Sequence, residues 1–412
     1  MVLTKYDSGL LEMMYLLTRK QSHMNPSGVA RYLSEQGIRV TDRTVRRWFN
    51  YLQTHHFDYF PYPKYESLGL VPVWVMTNFN EKVLEAIPHK VAIVRGFDMR
   101  DLEKRLLSLY LVPTERLKEF RKLWTDAVDA KVLDFCQLLE VGSVNSFYSP
   151  FHRLIDSNGI ADFPNNHEPD NSYFTDMLRK SISAENNAGM SPRICKNPMI
   201  VPIIWESFRK HMSSQKIWNS FEKRADEAAW KYMNNSKMRR EKRAGCGIRH
   251  VQNTMKEMQN NFGEFFQQMR VSYNPLYTHH STMFYMMLKL KTREDIVPLS
   301  ELLSKHAISI VAYPPRDAKS SLMMYYILTN AKESVNIISD LIQPYIDKSF
   351  DNRVITEDFK GTARYRDPNM RHWKEHYMMS NYHKLFDPST CKWKFDTKAY
   401  AKKLNAAGIR QG

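Results

Sequence analysis

Arg43, Arg46, Arg47 and Asn50 recur at i, i+3, i+4 and i+7 within TDRTVRRWFNYLQ, a spacing that puts four polar side chains on one face of a helix. Guanidinium forks match guanine O6 and N7, an asparagine amide matches adenine N6 and N7, and a helix fits a major groove about 12 Å wide. The pattern predicts base readout by Arg46, Arg47 and Asn50, with Arg43 beside them and Arg31 and Arg39 on phosphates. A second basic region spans residues 205–256, where thirteen Lys and Arg stand against five Asp and Glu. Its run KMRREKR carries Lys237, Arg239, Arg240, Lys242 and Arg243, which would neutralise phosphates without regard to sequence. Arg249, with Gln252, Asn253 and Lys256, lies on the helix that would follow.

Other chemistry has less to stand on. His372 and His376 at i, i+4, with His383 and Cys391 downstream, invite a zinc reading. The spacing is not that of known zinc sites and no second cysteine is near, so aromatic-rich packing is the better expectation. The four cysteines lie at least 51 residues apart, which excludes C-x-x-C pairs and fits reduced, buried thiols. P-loop, H-E-x-x-H, G-x-S-x-G and G-x-G-x-x-G motifs do not occur. The expectation is a non-enzyme with no catalytic residues, no metal and no cofactor. The Met- and Tyr-rich segments MFYMM and LMMYYIL read as core.

The elements that would carry these residues follow from patterning. A helical head is expected over residues 9–53: GLLEMMYLLTRK, PSGVARYLSEQG and a third helix capped by Thr41, with Val45, Phe49 and Leu52 inward and Trp48 on the flank. Strands LVPVWVMTN and PHKVAIVRGF flank a short helix NEKVLEAI, and LLSLYLV, PTERLKEFRKLW and VGSVNSFYSP complete a βαββαβ order. The second half repeats the plan, since Val73 and Tyr285, Ile93 and Ile310, and Tyr110 and Tyr326 stand 212, 217 and 216 residues apart. The fold class is therefore α+β, with two winged-helix or helix-turn-helix heads and two ferredoxin-like βαββαβ modules in tandem. The expected domains are a head over 1–60, a first module over 61–156, a linker over 157–197, a basic head over 198–270, a second module over 271–352 and a basic aromatic tail over 353–412.

Composition agrees with a folded chain. Of 412 residues 43% are hydrophobic and 12% aromatic, with 14 Gly and 19 Pro, which excludes low-complexity and collagen-like classes. Sixty Lys and Arg against 44 Asp and Glu give a net charge of +16 and a pI near 9.5, so the partner should be a polyanion. No stretch approaches the roughly 18 apolar residues of a membrane span, and no signal-peptide core stands at the N-terminus. A cytoplasmic location is expected.

The head motif TDRTVRRWFNYLQ, the turn FPYP, the segment LGLVPVWVMTN and IPHKVAIVRGFD together resemble the leucine-responsive regulator (Lrp/AsnC) family of prokaryotic, especially archaeal, transcription factors. The resemblance covers residues 10–150, and 198–345 more weakly. It implies an N-terminal helix-turn-helix and a C-terminal βαββαβ module that senses a small-molecule effector, with Gly96 and Asp98 lining the effector pocket; AYPPRD in the second half lacks the glycine. It also implies pairing of two modules, here within one chain as an intramolecular pseudo-dimer. The resulting expectation is a sequence-specific transcription regulator with double-stranded DNA as partner and no membrane contact. Two alternatives stay open: a DNA-processing protein of a mobile element, of replication-initiator or recombinase kind, and a non-specific chromosome-organising protein.

Overall fold

The computed structural model describes residues 10, 13, 26–54, 57–142, 146–148, 155–156, 159–160, 172–183, 189–209, 214–224, 246–273, 281–307, 309–330, 334–357 and 377–408. In chain order come helices α1 (Pro26–Glu35) and α2 (Asp42–Thr54) and strand β1 (Phe57–Pro63). A first βαββαβ run follows: β2 (Leu70–Asn78), α3 (Glu81–Leu84), β3 (Lys90–Asp98), β4 (Lys104–Pro113), α4 (Leu117–Asp129) and β5 (Cys136–Glu140). Strand β6 (Ser146–Tyr148) and helices α5 (Ser172–Ser183), α6 (Pro192–Lys196), α7 (Ile200–Arg209), α8 (Ser214–Arg224), α9 (Cys246–Asn260) and α10 (Phe262–Phe265) lead to strand β7 (Phe266–Tyr273). The second run is β8 (Ser281–Lys289), α11 (Ile296–Lys305), β9 (Ser309–Tyr313), β10 (Leu322–Asn330), α12 (Ser334–Ile342) and β11 (Arg353–Glu357). Helix α13 (Tyr377–Leu385), the hairpin strands β12 (Phe386–Asp387) and β13 (Lys392–Trp393), and helix α14 (Thr397–Gly408) come last.

The chain divides into two compact units, each assembled from three separated segments. One unit holds Pro63–Ser143, Glu185–Phe265 and Asp358–Gly412, hence the first module, the helices α6–α10 and the C-terminal elements. The other holds Met1–Tyr62, Val144–Ala184 and Phe266–Glu357, hence the first head and the second module. Each head therefore belongs with the module of the other repeat.

In the first-module unit the strands run antiparallel in the order β5-β2-β4-β3, with Val73 opposite both Tyr110 and Glu140. This is the ferredoxin-like βαββαβ topology. Branched residues fill β2, and its Val71, Val73 and Val75 share one face with Tyr110 and Val112 of β4. That face is covered by α4, whose Leu117, Phe120, Leu123, Trp124 and Ala127 recur at helical spacing and are all buried. Phe395, Tyr400 and Leu404 from the C-terminal segment close the same core, and α14 lies on α4 and α3. Trp74, Met76, Leu107, Leu109 and Leu111 on the opposite face are buried as well, so the near-continuous apolar runs of β2 and β4 reflect two covered faces. Helix α13 touches both β3 and α7.

In the second-module unit the order β11-β8-β10-β9 repeats the same topology, and β6 pairs with the outer edge of β9, Phe147 opposite Val311. The segment VGSVNSFYSP was expected to complete the first module; its strand instead extends the second, and Cys136–Glu140 takes the fourth place in the first sheet. Five further apolar and aromatic side chains, Phe284, Met286, Leu288, Tyr325 and Ile327, pack under α11, α12 and α5. Ser300 Oγ, fully buried on α11, stands 2.9 Å from Tyr325 Oη and satisfies the hydroxyl inside that core. The first head consists of α1 against α2, and β1 pairs with β7 in a two-stranded ribbon. Leu10 and Met13 are buried; the rest of the helix expected over 9–20 lies outside the described residues. No described helix is long and apolar enough to cross a membrane.

Candidate functional site: an exposed arginine face

Helix α2 begins where Thr41 stops the extended chain: its Oγ1 accepts from Thr44 N at 3.3 Å, and Val45 N donates to Thr41 O at 3.0 Å. Val45, Trp48 and Phe49 are buried. Arg43, Arg46, Arg47 and Asn50 are all exposed, so the fold does bring these four onto one solvent-facing stripe. Arg31 on α1 and Arg39 in the turn before α2 are exposed too. Ion pairs among the described residues engage Arg95, Arg105, Arg116, Arg121, Arg179, Arg193 and Arg353, and none of them engages Arg31, Arg39, Arg43, Arg46 or Arg47. Of the second head's residues, Arg249 is exposed on α9, while Lys237, Arg239, Arg240, Lys242 and Arg243 lie outside the described residues.

Of the two residues that the family resemblance would place in an effector pocket, Asp98 is engaged within its own hairpin. Asp98 is fully buried at the end of β3, accepts from Arg100 N at 3.0 Å, and faces Arg105 Nε at 3.7 Å. Arg105 also binds Glu103 at 2.5 Å and Asp101, and its guanidinium lies 5.0 Å from the centre of the Phe135 ring. The cluster ties off the β3–β4 hairpin, so the Asp98 carboxylate is already matched by charge and hydrogen bonds. Gly96 sits within β3, two residues before it.

Two groups escaped sequence reasoning. His89, in the loop before β3, is fully buried; its Nε2 lies 2.8 Å from the Lys394 carbonyl, and its ring meets Phe395 and Tyr400 at centroid distances of 5.1 and 6.1 Å. Burial depresses its pKa to about 4, with the Lys394 carbonyl opposing in part, so the imidazole is neutral. A Pro-His turn in the sequence gives no sign of a partner so far along the chain. The second is sulfur chemistry. Cys195 and Cys391 form a disulfide across 196 residues, with Cα atoms 5.4 Å apart. The expectation of reduced, buried thiols is thus corrected for this pair, because tertiary folding joins cysteines whose sequence spacing is uninformative. Cys136 is free, and burial pushes its thiol up to about 12. No cluster of three His, Cys, Asp or Glu suited to a metal occurs among the described residues; His372 and His376 lie outside them, and His383 is buried on α13.

No family model and no curated protein matches the chain. Among solved structures it is similar to the siroheme decarboxylase NirDL, at 9% identity and a TM-score of 0.43, covering 85% of this chain and 90% of that one. It is similar also to the same enzyme in co-complex with an iron-uroporphyrin III analogue, at 8% identity and 0.40, covering 84% and 90%. An anthrone oxidase-like protein is similar at 5% identity and 0.29, covering 73% and 94%. What stands of the family resemblance is the α+β, ferredoxin-like architecture visible in the two modules. The expectations of a transcription regulator, of double-stranded DNA as its partner and of a non-enzyme are corrected: the structures found are those of a decarboxylase and of its complex with a tetrapyrrole analogue. The physical reason is plain. A stripe of guanidiniums reports that an anion is wanted, and phosphate is only one of the anions that it fits.

Proposed function

We propose that the chain binds a planar polycarboxylate of the acidic tetrapyrrole class, with the α2 arginine face as its carboxylate clamp. The observation that carries this reading is the set of exposed arginines, Arg43, Arg46 and Arg47 foremost, that make no ion pair among the described residues, in a chain of net charge +16. The likeness to solved structures adds no weight to it. Guanidinium is planar, always charged and forked, so two neighbours one helical turn apart can each hold a carboxylate through paired N–H donors. A macrocycle with carboxylates around its rim offers several such groups at once, and the amide of Asn50 adds a neutral donor beside them.

The experiment is a titration of the full chain with uroporphyrin III, followed by the shift of its Soret band and by fluorescence quenching, at two salt concentrations. Replacing Arg46 and Arg47 together by alanine should weaken binding by at least about tenfold, since a hydrogen bond to a charged group contributes about 1.5–3 kcal/mol. Arg121→Ala, at an exposed arginine already paired with Glu140, should leave binding unchanged. Equal affinity in the double variant, or equal loss in the Arg121 variant, would overturn the assignment.

A further inference from the structure

Three sulfur atoms meet on the surface of the first-module unit. Cys391 Sγ lies 3.1 Å from Met190 Sδ, Cys195 Sγ lies 3.9 Å from the same thioether, and the two cysteines are joined to each other. Cys195 is exposed, while Met190 and Cys391 are half-buried, so the group is open to solvent without being loose.

What holds the sulfurs together is more than the S–S bond. Ser191 N, next to Met190, donates to Ser67 O at 2.8 Å. Trp393 Nε1, two residues beyond Cys391, donates to Leu68 O at 2.7 Å from a buried position. Both sides of the disulfide are thus pinned to one turn, Tyr65–Leu68, which ends at Gly69. Gly69 has φ +68°, and a Cβ there would stand 3.2 Å from Met190 Cβ and 3.4 Å from Met190 Cε, so the bare backbone makes the room that the thioether side chain fills. Cys195 in turn sits on α6, which Ser191 caps by accepting from Arg193 N at 3.2 Å. Cleaving the disulfide would leave three sulfurs on three anchored backbones within a few ångströms.

We infer that Met190, Cys195 and Cys391 form a redox-gated site for a soft monovalent metal ion, Cu(I), closed by the disulfide and opened by its reduction. The electron count is simple. A dithiol reductant gives up two electrons and two protons and becomes a cyclic disulfide; the Cys195–Cys391 bond breaks and two thiols form. Cu(I) then bonds to both sulfurs and to Met190 Sδ, and the two thiol protons leave to solvent. Thiolate with thioether is a donor set that selects Cu(I). A borderline ion such as zinc, which favours four nitrogen, oxygen or thiolate ligands, finds only two of these here, for no third His, Cys, Asp or Glu joins the cluster among the described residues.

The test uses the full chain. One sample is kept oxidised; another is reduced with a dithiol, freed of it without air and titrated with Cu(I) against a chromophoric Cu(I) chelator. The reduced chain should take up one tightly held Cu(I), with a thiolate-to-copper absorption in the near ultraviolet, and the oxidised chain none. Cys195→Ser and Cys391→Ser should each abolish uptake, and Cys136→Ser should not change it. Met190→Leu, which keeps the packing volume, should fold normally and lose affinity about tenfold, in line with the 10–100-fold losses seen when a supporting contact of a metal site is removed. Failure of the reduced chain to take up Cu(I), uptake that survives loss of Cys195 or Cys391, unchanged affinity in Met190→Leu, or zinc held as tightly as Cu(I) would each overturn the inference.

Discussion

Acidification is expected to loosen the first-module unit through a single residue, His89. In the folded chain its neutral imidazole fills a site among Phe395, Tyr400 and the Lys394 carbonyl, and burial holds the pKa at about 4. In the unfolded chain the ring returns to about 6.5. Between those two values the unfolded state binds the extra proton, so stability rises with pH across the window. The contribution is fully present above about pH 6.5, is lost progressively as pH falls towards 4, and changes no further below that. A gap of roughly 2.5 units at 1.36 kcal/mol per unit amounts to about 3 kcal/mol, a large fraction of the 5–15 kcal/mol, roughly, that holds a domain together. The assay is urea unfolding, followed by tryptophan fluorescence, at a series of pH values from 7.5 to 4 for the native chain and for His89→Asn. Asparagine keeps an N–H for the Lys394 carbonyl and does not titrate. Other groups titrate alike in both proteins, so the difference between their stabilities isolates His89, and it should shrink by about 3 kcal/mol over that range. Parallel curves would refute the reasoning.

Three further outcomes are expected. Arg105→Met should cost about 3–5 kcal/mol, because it strands the fully buried Asp98 carboxylate, whereas Arg116→Ala at the exposed pair with Glu119 should cost under about 1 kcal/mol; similar urea midpoints for the two would contradict this. Gly69→Ala should cost about 1–2 kcal/mol, as alanine resists the left-handed backbone at φ +68°, and an unchanged melting temperature would count against it. A fragment of residues 1–160 contains the first head and the first module, which belong to different units, so it should aggregate or stay unfolded; a monodisperse, cooperatively melting monomer in size-exclusion chromatography would disprove the interleaving.

Local chemistry was legible and long-range pairing was not. The cap at Thr41, the buried Val45 and Phe49 and the exposed arginine stripe all follow from spacing within one helix, and the apolar runs of β2, β4, β8 and β10 announce buried strands. The repeat offsets pair Val73 with Tyr285 and Tyr110 with Tyr326, whereas the side chains of the second module that face the helices are Phe284, Met286 and Tyr325, the last within reach of Ser300. In a strand a slip of one exchanges the two faces. The partner of Phe147, the bond between Cys195 and Cys391 and the lodging of His89 beside Lys394 all join residues more than 150 positions apart, and no period or composition encodes such pairings. The arginine face was legible as an exposed surface, whereas its ligand was not, since a guanidinium fork fits carboxylate and phosphate alike.

The interleaving of the units has a consequence during synthesis. Strand β1 leaves the ribosome roughly 200 residues before its partner β7, which at about 5–20 residues per second is a wait of ~10–40 s. The first module fares no better, since Phe395, Tyr400 and Leu404, which help to seal its core, are translated roughly 250 residues after β5. Vectorial folding, one finished domain after another, is closed to this chain. Each half must be held in a collapsed, partly open form until the other arrives, with apolar strands such as VPVWVMT accessible meanwhile. The cell's holding chaperones, and the speed at which the messenger is read, therefore bear on how much of this protein reaches its native form.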